Sequence, residues 1–268
     1  MEDLSQNKKI KVVLYNILFG MKGNTLANAV LSNLSMHGIR PALPFGLLPQ
    51  WLRKITVPIR SKYLTPTLDI LEKHKPDILC LNEILIERHK EELEKRLKAL
   101  GFNTIVYGPC LHHSPPFKIS LVLATKAKAE VIPFHITMAA QPGGGGGAGS
   151  LYIPDYNLAV LGVHIAFTGG VRQREMDEVE AWIQAQKKLG RKMLVVGDFN
   201  YQRAELNKRI PSLAPFHETV RPTCPSFGTI FQKCLDHIFY DNNFIEENSG
   251  AERVISDHKL VWSELASK

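Results

Sequence analysis

Short apolar runs, rich in leucine and β-branched residues, recur along the chain and limit the folds that it can adopt. They lie at residues 12–18, 78–81, 119–124, 158–165, 193–196, 235–240 and 259–262. Runs of this length and composition are typical of buried β-strands. Between them, residues 67–74, 87–100 and 172–189 carry apolar side chains at helical spacing. Strands and helices do not alternate regularly enough for a simple parallel sheet, so the pattern predicts a mixed α/β arrangement.

The composition is that of a globular protein with a large core. The chain has 268 residues, of which 44% are hydrophobic and 22% are charged, an ordinary range for folded domains. No Ser/Pro-rich linker divides it, so we expect residues 1–268 to form a single domain. The 33 Lys and Arg residues exceed the 26 Asp and Glu residues and give a formal net charge of +7. This excess favours anionic partners such as nucleic acids, phosphorylated metabolites or lipid headgroups without choosing among them.

The four cysteines, Cys80, Cys110, Cys224 and Cys234, are too sparse for a disulfide framework and form no C-x-x-C pair that would indicate zinc. Residues 1–11 are polar and charged, and the apolar run that follows them is short. This pattern predicts neither a signal peptide nor a membrane-spanning helix. We therefore expect a reduced, cytoplasmic protein.

Two segments interrupt the pattern of strands and helices. Residues 20–61 mix Pro, Gly, apolar and basic residues between the first strand and the next helix, which we interpret as an insertion. Residues 143–150 are rich in glycine. A phosphate-binding P-loop would require a Lys followed by Ser or Thr and then a helix, and this segment has neither. The composition favours a flexible hairpin loop.

The sharpest short motif is Gly197-Asp198-Phe199-Asn200, directly after the apolar run at 193–196. A carboxylate and an amide two residues apart at the end of a buried strand can together hold and deprotonate a water. Glycine allows a close approach of backbone at the same place. An ordinary Asp/Asn turn is the alternative for this motif taken alone.

A second motif, Ser256-Asp257-His258, precedes the last apolar run. Neighbours on an extended chain point in opposite directions, so Asp257 should not orient His258. Asp236 lies inside an apolar run, where a carboxylate is costly unless it is paired. We therefore predict that Asp236 accepts a hydrogen bond from His258, which would raise the pKa of the imidazole and fix its tautomer.

Three further polar residues lie at the ends of predicted strands: Asn16, Glu83 and His164. Hard divalent cations prefer oxygen ligands, which Glu83 and Asn16 can supply to Mg²⁺. Taken singly, each of these residues is more often a cap, a surface group or a structural histidine. Their order along the chain, together with the two motifs above, makes a functional role the better interpretation.

This ordered set resembles the endonuclease/exonuclease/phosphatase family, which has the deoxyribonuclease I-like fold. Family patterns of the kind W/Y-N-I, L-Q-E, T-H-L, G-D-F-N, L-D-Y-I-F and S-D-H correspond to residues 15–17, 81–83, 163–165, 197–200, 235–239 and 256–258. The resemblance spans nearly the whole chain. It implies a four-layer α/β/β/α sandwich, with two mixed sheets packed face to face and helices outside.

The resemblance also implies roles for individual residues. Glu83 would bind the metal with Asn16 nearby, and Asp257 would add to that site or to a second cation site. Asp198 would activate the water, while Asp236 orients His258. The remaining residues would position the water or contact the phosphoryl oxygens and the substrate: Asn200, His164 and Arg172.

Two residues depart from the family patterns. Asn82 replaces the usual Gln before Glu83, which shortens the side chain next to the metal ligand. His237 follows Asp236 where Tyr is common. The Tyr/Asn pair with which abasic-site endonucleases hold their phosphate has no counterpart, and His164 takes that place. This lowers the expectation of a base-excision nuclease.

The resemblance implies a hydrolase that uses Mg²⁺, with Mn²⁺ as the alternative, and cleaves a phosphodiester or phosphomonoester by in-line attack of water. A DNA or RNA nuclease of the repair type and a lipid or inositol phosphate phosphoesterase are the alternative enzymes. An inactive binding module is the alternative of another class, although Glu83, Asp198 and His258 are all retained. We expect a monomer, and we expect the insertion at 20–61 to lie near the active-site edge.

Overall fold

The computed structural model describes residues 9–18, 25, 27–28, 64–108, 111–114, 117–134, 136, 147–166, 169–225 and 232–268. The strands among these residues are β1 (Lys9–Asn16), β2 (Ile78–Leu85), β3 (Thr104–Tyr107), β4 (Leu111–Ser114), β5 (Phe117–Thr125), β6 (Glu130–Val131), β7 (Gly147–Ile153), β8 (Leu158–His164), β9 (Lys192–Asp198), β10 (His217–Glu218), β11 (Asp236–Tyr240), β12 (Phe244–Arg253) and β13 (Lys259–Ser267). The α-helices are α1 (Leu64–His74), α2 (Ile86–Ala99), α3 (Gly169–Lys188) and α4 (Arg203–Arg209).

The strands form two mixed sheets. The first has the order β12-β13-β1-β2-β5-β3, with β4 also paired to β5, and the second has the order β10-β11-β9-β8-β7-β6. Each sheet contains one parallel pair, β1 with β2 and β8 with β9, and its other pairs are antiparallel. The parallel pairs bring polar residues at the carboxyl ends of neighbouring strands to the same edge.

The inner faces of the two sheets share one apolar core. Side chains alternate between the two faces of a strand. Val12 and Leu14 of β1 therefore belong to the buried cluster that also contains Val160 of β8 and Leu194 and Val196 of β9. Both sheets contribute to this cluster, which identifies it as the layer between them.

The outer faces are covered by helices. Val13 of β1 packs in a cluster with Leu68 of α1 and Leu93 of α2. On the other side, Leu161 of β8 packs with Met176 and Val179 of α3, among others. The molecule is thus the four-layer α/β/β/α sandwich that the family resemblance implied.

The glycine-rich segment differs from its prediction. Residues 147–150 are not a flexible loop but the start of the buried strand β7, paired with β8. A Cβ at Gly149 would make ordinary contact with Val106, at 3.4 Å. On the neighbouring strand β8, a Cβ at Gly162 would lie only 3.2 Å from Cys80 and Leu121 of the other sheet. A small residue at 162 therefore helps the two sheets to approach. Residues 143–146 and most of the predicted insertion at 20–61 lie outside the described residues.

No helix among the described ranges is long and apolar enough to cross a membrane.

Gly197→Ala should lower the free energy of unfolding by about 3 kcal/mol, at the upper end of the usual cost of overpacking. A Cβ at Gly197 would lie 1.9 Å from the carbonyl oxygen of Val163, so backbone has to move. Urea unfolding followed by circular dichroism measures the change. Gly170→Ala in α3 is the matched control, since no other atom of the described residues lies within 4 Å of its added Cβ. Equal stability of the two variants would contradict this explanation.

Candidate active site

Three ionisable residues lie side by side across the edge of the second sheet. His164 at the end of β8 is paired with Asp198 at the end of β9. Asp198 is in turn paired with Asp236, the first residue of β11. The register of the strands alone thus brings together residues that are far apart in the sequence.

The first sheet contributes Asn16 and Glu83 to the same edge. Asn16, the last residue of β1, is paired with Asn82 of β2, and Glu83 follows directly. The pairing of β2 with β5 shifts register between Leu81 and Ile84, and Glu83 has a left-handed φ of 60°. Irregularities of this kind redirect side chains at functional sites. Here the shift directs the Glu83 carboxylate towards the second sheet, where His164 lies.

Two hydrogen bonds connect the sheets. The side-chain amide of Asn16 donates to Oδ2 of Asp198 at 3.0 Å. Nδ1 of His258, which precedes β13, lies 2.7 Å from Oδ2 of Asp236. A carboxylate accepts, so Nδ1 carries the hydrogen and Nε2 is the nitrogen left to face the site.

The Asp198 carboxylate is held from several sides. Its Oδ1 accepts a hydrogen bond from the backbone N–H of Asn200 at 2.8 Å. Its Oδ2 lies 3.8 Å from Nε2 of His258 and 4.0 Å from Nε2 of His164. Asp198 is 1% exposed, so its orientation is determined by these groups and not by bulk water.

Burial lowers the pKa of His258, but the facing carboxylate of Asp236, and Asp198 beyond it, raise it more, so the net pKa lies well above its usual value. Burial also raises the pKa of Asp236, against the stabilising effect of His258. The opposed effects are those of two oppositely charged groups removed from water together. Nε2 of His258 is therefore a hydrogen-bond donor at neutral pH.

The ionised form of Glu83 is poorly stabilised by its surroundings. Burial and then the charge of Asp257 raise its pKa to about 8, although His258 and the amide of Asn16 act in the other direction. Its Oε1 lies 3.7 Å from Nε2 of His164, and its Oε2 is buried with no hydrogen-bond partner among the described residues. A carboxylate oxygen in such a position suits a cation, which would replace the missing partner.

A second group also offers ligand atoms. Atoms of Asp198, Asp236 and His258 all lie within 4.8 Å of one another, and this buried group could bind a metal. Nδ1 of His258 is already bonded to Asp236, and Nε2 can bind a cation only when it carries no hydrogen. The oxygens of Asp198 are therefore the available ligand atoms of this group, and the Glu83 side of the edge suits a cation better than the His258 side.

Tyr15 holds the loop that bears Asp257 and His258, a role that the sequence did not indicate. Its hydroxyl oxygen accepts hydrogen bonds from the backbone N–H groups of Ile255 at 3.1 Å and Ser256 at 2.9 Å. The Ser256 hydroxyl oxygen accepts from the N–H of His258 at 3.1 Å. The Tyr15 ring is buried, which raises its pKa to about 12. Its only signal in the sequence was its place in the Y-N-I motif.

Thr223 is a second residue that sequence reasoning missed. Its hydroxyl oxygen accepts from the N–H groups of Leu235 and Asp236 at 3.2 and 3.3 Å. Its carbonyl oxygen accepts from the N–H of Lys259 at 2.9 Å. Thr223 therefore aligns the segments that carry Asp236 and His258, and no local pattern distinguishes it from an ordinary loop threonine.

Asn200 and Arg172 lie beside Asp198 in the turn after β9. Asn200 has a left-handed φ of 55°, and its side-chain amide donates to the carbonyl oxygen of Ile165 at 2.8 Å. The Arg172 guanidinium lies 3.9 Å from the centroid of the Tyr201 ring, and its Nη1 is 3.5 Å from the carbonyl oxygen of Asn200. Arg172 thus contacts the backbone and ring of this turn, and its role towards a substrate stays a prediction.

Asn82 does not support Glu83 through its amide group. Its Oδ1 accepts from the thiol of Cys80 at 3.8 Å, and its buried Nδ2 has no partner among the described residues. Asn82 therefore does not orient Glu83, which is contacted instead by the amide of Asn16 and by His164.

Comparisons with known proteins identify the family of this chain. A family model described as "Endonuclease/Exonuclease/phosphatase family" matches residues 15–258. The chain therefore belongs to the endonuclease/exonuclease/phosphatase family. This membership supports its assignment as a hydrolase that acts on phosphate esters. No curated protein matches the chain by sequence.

Solved structures resemble the whole chain at low identity. A conserved protein of unknown function from Enterococcus faecalis V583 is 14% identical with a TM-score of 0.63, over 97% of this chain and 100% of that chain. ANGEL2, a 2',3'-cyclic phosphatase in complex with adenosine-2',3'-vanadate, is 14% identical with a TM-score of 0.61, over 97% and 96%. TDP2 from D. rerio, complexed with a single-strand DNA product, is 13% identical with a TM-score of 0.60, over 96% and 99%. At these identities the similarity shows the fold.

Asp236→Asn should lower the pKa of His258, because a neutral amide no longer stabilises the imidazolium. In the unsubstituted protein, protonated His258 adds stability below its unfolded pKa of about 6.5, and this contribution is lost as the pH rises through the higher folded pKa. NMR titration of the ring protons measures the pKa of His258 in the unsubstituted protein and in the variant. Asp177→Asn, at an exposed position of α3, is the control and should leave the titration unchanged. An unaltered pKa in Asp236→Asn would rule out the pairing.

Proposed function

We propose that this protein is a Mg²⁺-dependent hydrolase that cleaves a phosphate ester by in-line attack of an activated water. The observation that carries the proposal is that Glu83, Asp198 and the Asp236–His258 pair lie at one edge. Hydrogen bonds join Asn16 to Asp198 and His258 to Asp236 across the sheets, and Oε1 of Glu83 lies 3.7 Å from Nε2 of His164. Phosphoryl displacement requires positioning of a water and neutralisation of charge more than covalent chemistry. The edge offers groups for both.

Glu83 would hold the metal, with Asp257 as a further oxygen ligand and Asn16 nearby. The Oδ1 atom of Asn16 already accepts from the backbone N–H of Leu18 at 3.1 Å, and its nitrogen faces Asp198. The unpartnered Oε2 of Glu83 and its raised pKa support this choice, since both reflect negative charge without a counterion. Oxygen ligands favour Mg²⁺, with Mn²⁺ as the alternative. When bound, the ion would neutralise charge on the phosphoryl group and on its leaving oxygen.

Asp198 would accept the proton of the attacking water. Its carboxylate is oriented by Asn16 and by the backbone N–H of Asn200, so a water at its free lone pairs would be held in one direction. His258, protonated and oriented by Asp236, would donate a hydrogen bond from Nε2 to a phosphoryl oxygen. Both groups act without leaving their positions, as electrostatic preorganisation requires.

His164, Asn200 and Arg172 would complete the contacts with substrate. Nε2 of His164 lies within 4.0 Å of both Glu83 and Asp198, so it would contact the same phosphoryl group. Arg172, which flanks Asn200, would attract a further anionic group of the substrate. A phosphodiester is favoured, because the structural relatives ANGEL2 and TDP2 are described with nucleotide ligands and the chain has a net charge of +7.

Hydrolysis of a bis-aryl phosphodiester should exceed that of an aryl phosphomonoester, should require Mg²⁺ or Mn²⁺, and should stop with excess chelator. Mg²⁺ should also raise the Tm of the protein, because ligands that bind only the folded state stabilise it. The apparent affinity for Mg²⁺ should rise as the pH approaches 8, since protons compete at Glu83.

Glu83→Gln should remove both the turnover and the Tm shift, whereas Glu91→Gln, at an exposed position of α2, should keep both. Turnover that survives chelation would refute the proposed mechanism. A Tm shift that persists in Glu83→Gln would show that other residues bind the metal.

Asp236→Asn should lower kcat roughly 10²-fold, the usual scale for loss of an oriented acid, base or oxyanion donor. His258→Ala should cost at least as much. Because the two residues act as a unit, the double variant should be little worse than the worse single variant. Steady-state kinetics on the aryl diester tests this, and multiplicative losses would show that the residues act independently.

A further inference from the structure

His237 is a fully buried imidazole next to the site that takes no part in the mechanism above. It follows Asp236 on β11, and β11 pairs it with Gly197 of the G-D-F-N motif. Its ring lies 2.6 Å from two oxygens: Nδ1 faces Oε1 of Glu218, and Nε2 faces the carbonyl oxygen of Tyr201. A histidine with both nitrogens at such short distances is a bridge between two separate elements, β10 and the turn after β9.

Nε2 of His237 donates to the turn after β9. A backbone carbonyl oxygen can only accept, so the nitrogen that faces Tyr201 carries a hydrogen. On the other side of the ring, Nδ1 shares a hydrogen bond with Oε1 of Glu218. The other oxygen of Glu218 lies 3.6 Å from Nε of Arg203, so Arg203 helps to hold Glu218 in place.

The bridge ends on the turn that carries the Asp198 and Asn200 groups. On one side, the Asn200 amide donates to the carbonyl oxygen of Ile165 at 2.8 Å. On the other side, His237 holds the carbonyl oxygen of Tyr201. The Phe199 ring between them packs edge-on against His237, with ring centroids 5.7 Å apart.

We infer that His237 is a positioning residue, which holds the turn at residues 198–201 through Tyr201 and so sets the direction of the Asp198 carboxylate. The inference rests on the proposed function for its effect on catalysis, but its structural part does not. Glu218 contacts Nδ1, on the opposite side of the ring from Tyr201, and Arg203 in turn contacts Glu218. A Tyr or Phe at this position would keep ring packing on Phe239, which stacks on His237 at 5.1 Å, but could not form hydrogen bonds with Tyr201 and Glu218 at the same time.

Three substitutions separate positioning from packing. His237→Phe keeps a ring and removes both ring nitrogens. His237→Gln places an amide nitrogen near the position of Nε2 and can still reach Tyr201, whereas His237→Asn places one near Nδ1 and can reach only Glu218. His217→Phe is the matched control, because His217 is an exposed residue that directly precedes Glu218 in β10.

The variants should differ in kcat and not in KM. We expect His237→Phe and His237→Asn to lose roughly 10- to 100-fold in kcat, the scale on which displaced catalytic groups act, with KM within about twofold. His237→Gln should recover most of that loss, and His217→Phe should match the unsubstituted protein. Equal kcat for the Gln and Asn variants, or a folded His237→Phe within twofold of the unsubstituted protein, would overturn the inference.

NMR of the ring tests the structural part without any activity. The Nε2–H of His237 should be observed as a hydrogen-bonded proton, and the backbone amide resonances of Asn200 and Tyr201 should move more in His237→Asn than in His237→Gln. An Nε2 without hydrogen, or equal amide shifts in the two variants, would overturn the inference even if the protein hydrolyses phosphate esters. Absence of any hydrolysis, with the Nε2–H present and the shifts unequal, would instead refute the proposed function and leave the positioning role supported.

Discussion

The candidate site depends on two hydrogen bonds that join the sheets at one edge, from Asn16 to Asp198 and from His258 to Asp236. Each joins a carboxylate of the second sheet to a polar side chain of the first. A buried carboxylate without a partner destabilises the folded state, so these bonds define how the sheets meet at this edge. The apolar core between the sheets sets their separation, and the polar pairs set their alignment.

The balance of charge at this edge connects folding to chemistry. His258 compensates Asp236, and the amide of Asn16 together with the turn backbone compensates Asp198. Glu83 is left with a buried oxygen that has no hydrogen-bond partner among the described residues and with a pKa raised to about 8. The same excess of negative charge that disfavours the fold without a cation would favour binding of one. Under the proposed function, the buried Glu83 carboxylate lowers the stability of the metal-free protein and provides the metal ligand. Functional sites commonly combine such a local loss of stability with a function.

The predicted secondary structure is confirmed where apolar periodicity was strong. The runs at 78–81, 119–124 and 193–196 lie inside β2, β5 and β9, and the helical patterns lie within one or a few residues of α1, α2 and α3. The elements that were missed have weak local patterns. β12 is a largely polar strand at the end of its sheet, and β7 begins with glycines that match a turn locally but pack against a neighbouring sheet. Such strands are defined by their partners.

The sequence by itself determined the family, the layered fold and the set of residues at the strand ends, because these are written in local motifs and in their order. Only the tertiary structure decided which of them meet. Asn16 and Asp198 are separated by 182 positions, and Tyr15 holds Ser256 across 241 positions, distances over which no local pattern carries information. The supporting roles of Tyr15, Thr223 and His237 depend on strand register and on buried donors that need acceptors. These constraints exist only once the two sheets have packed together.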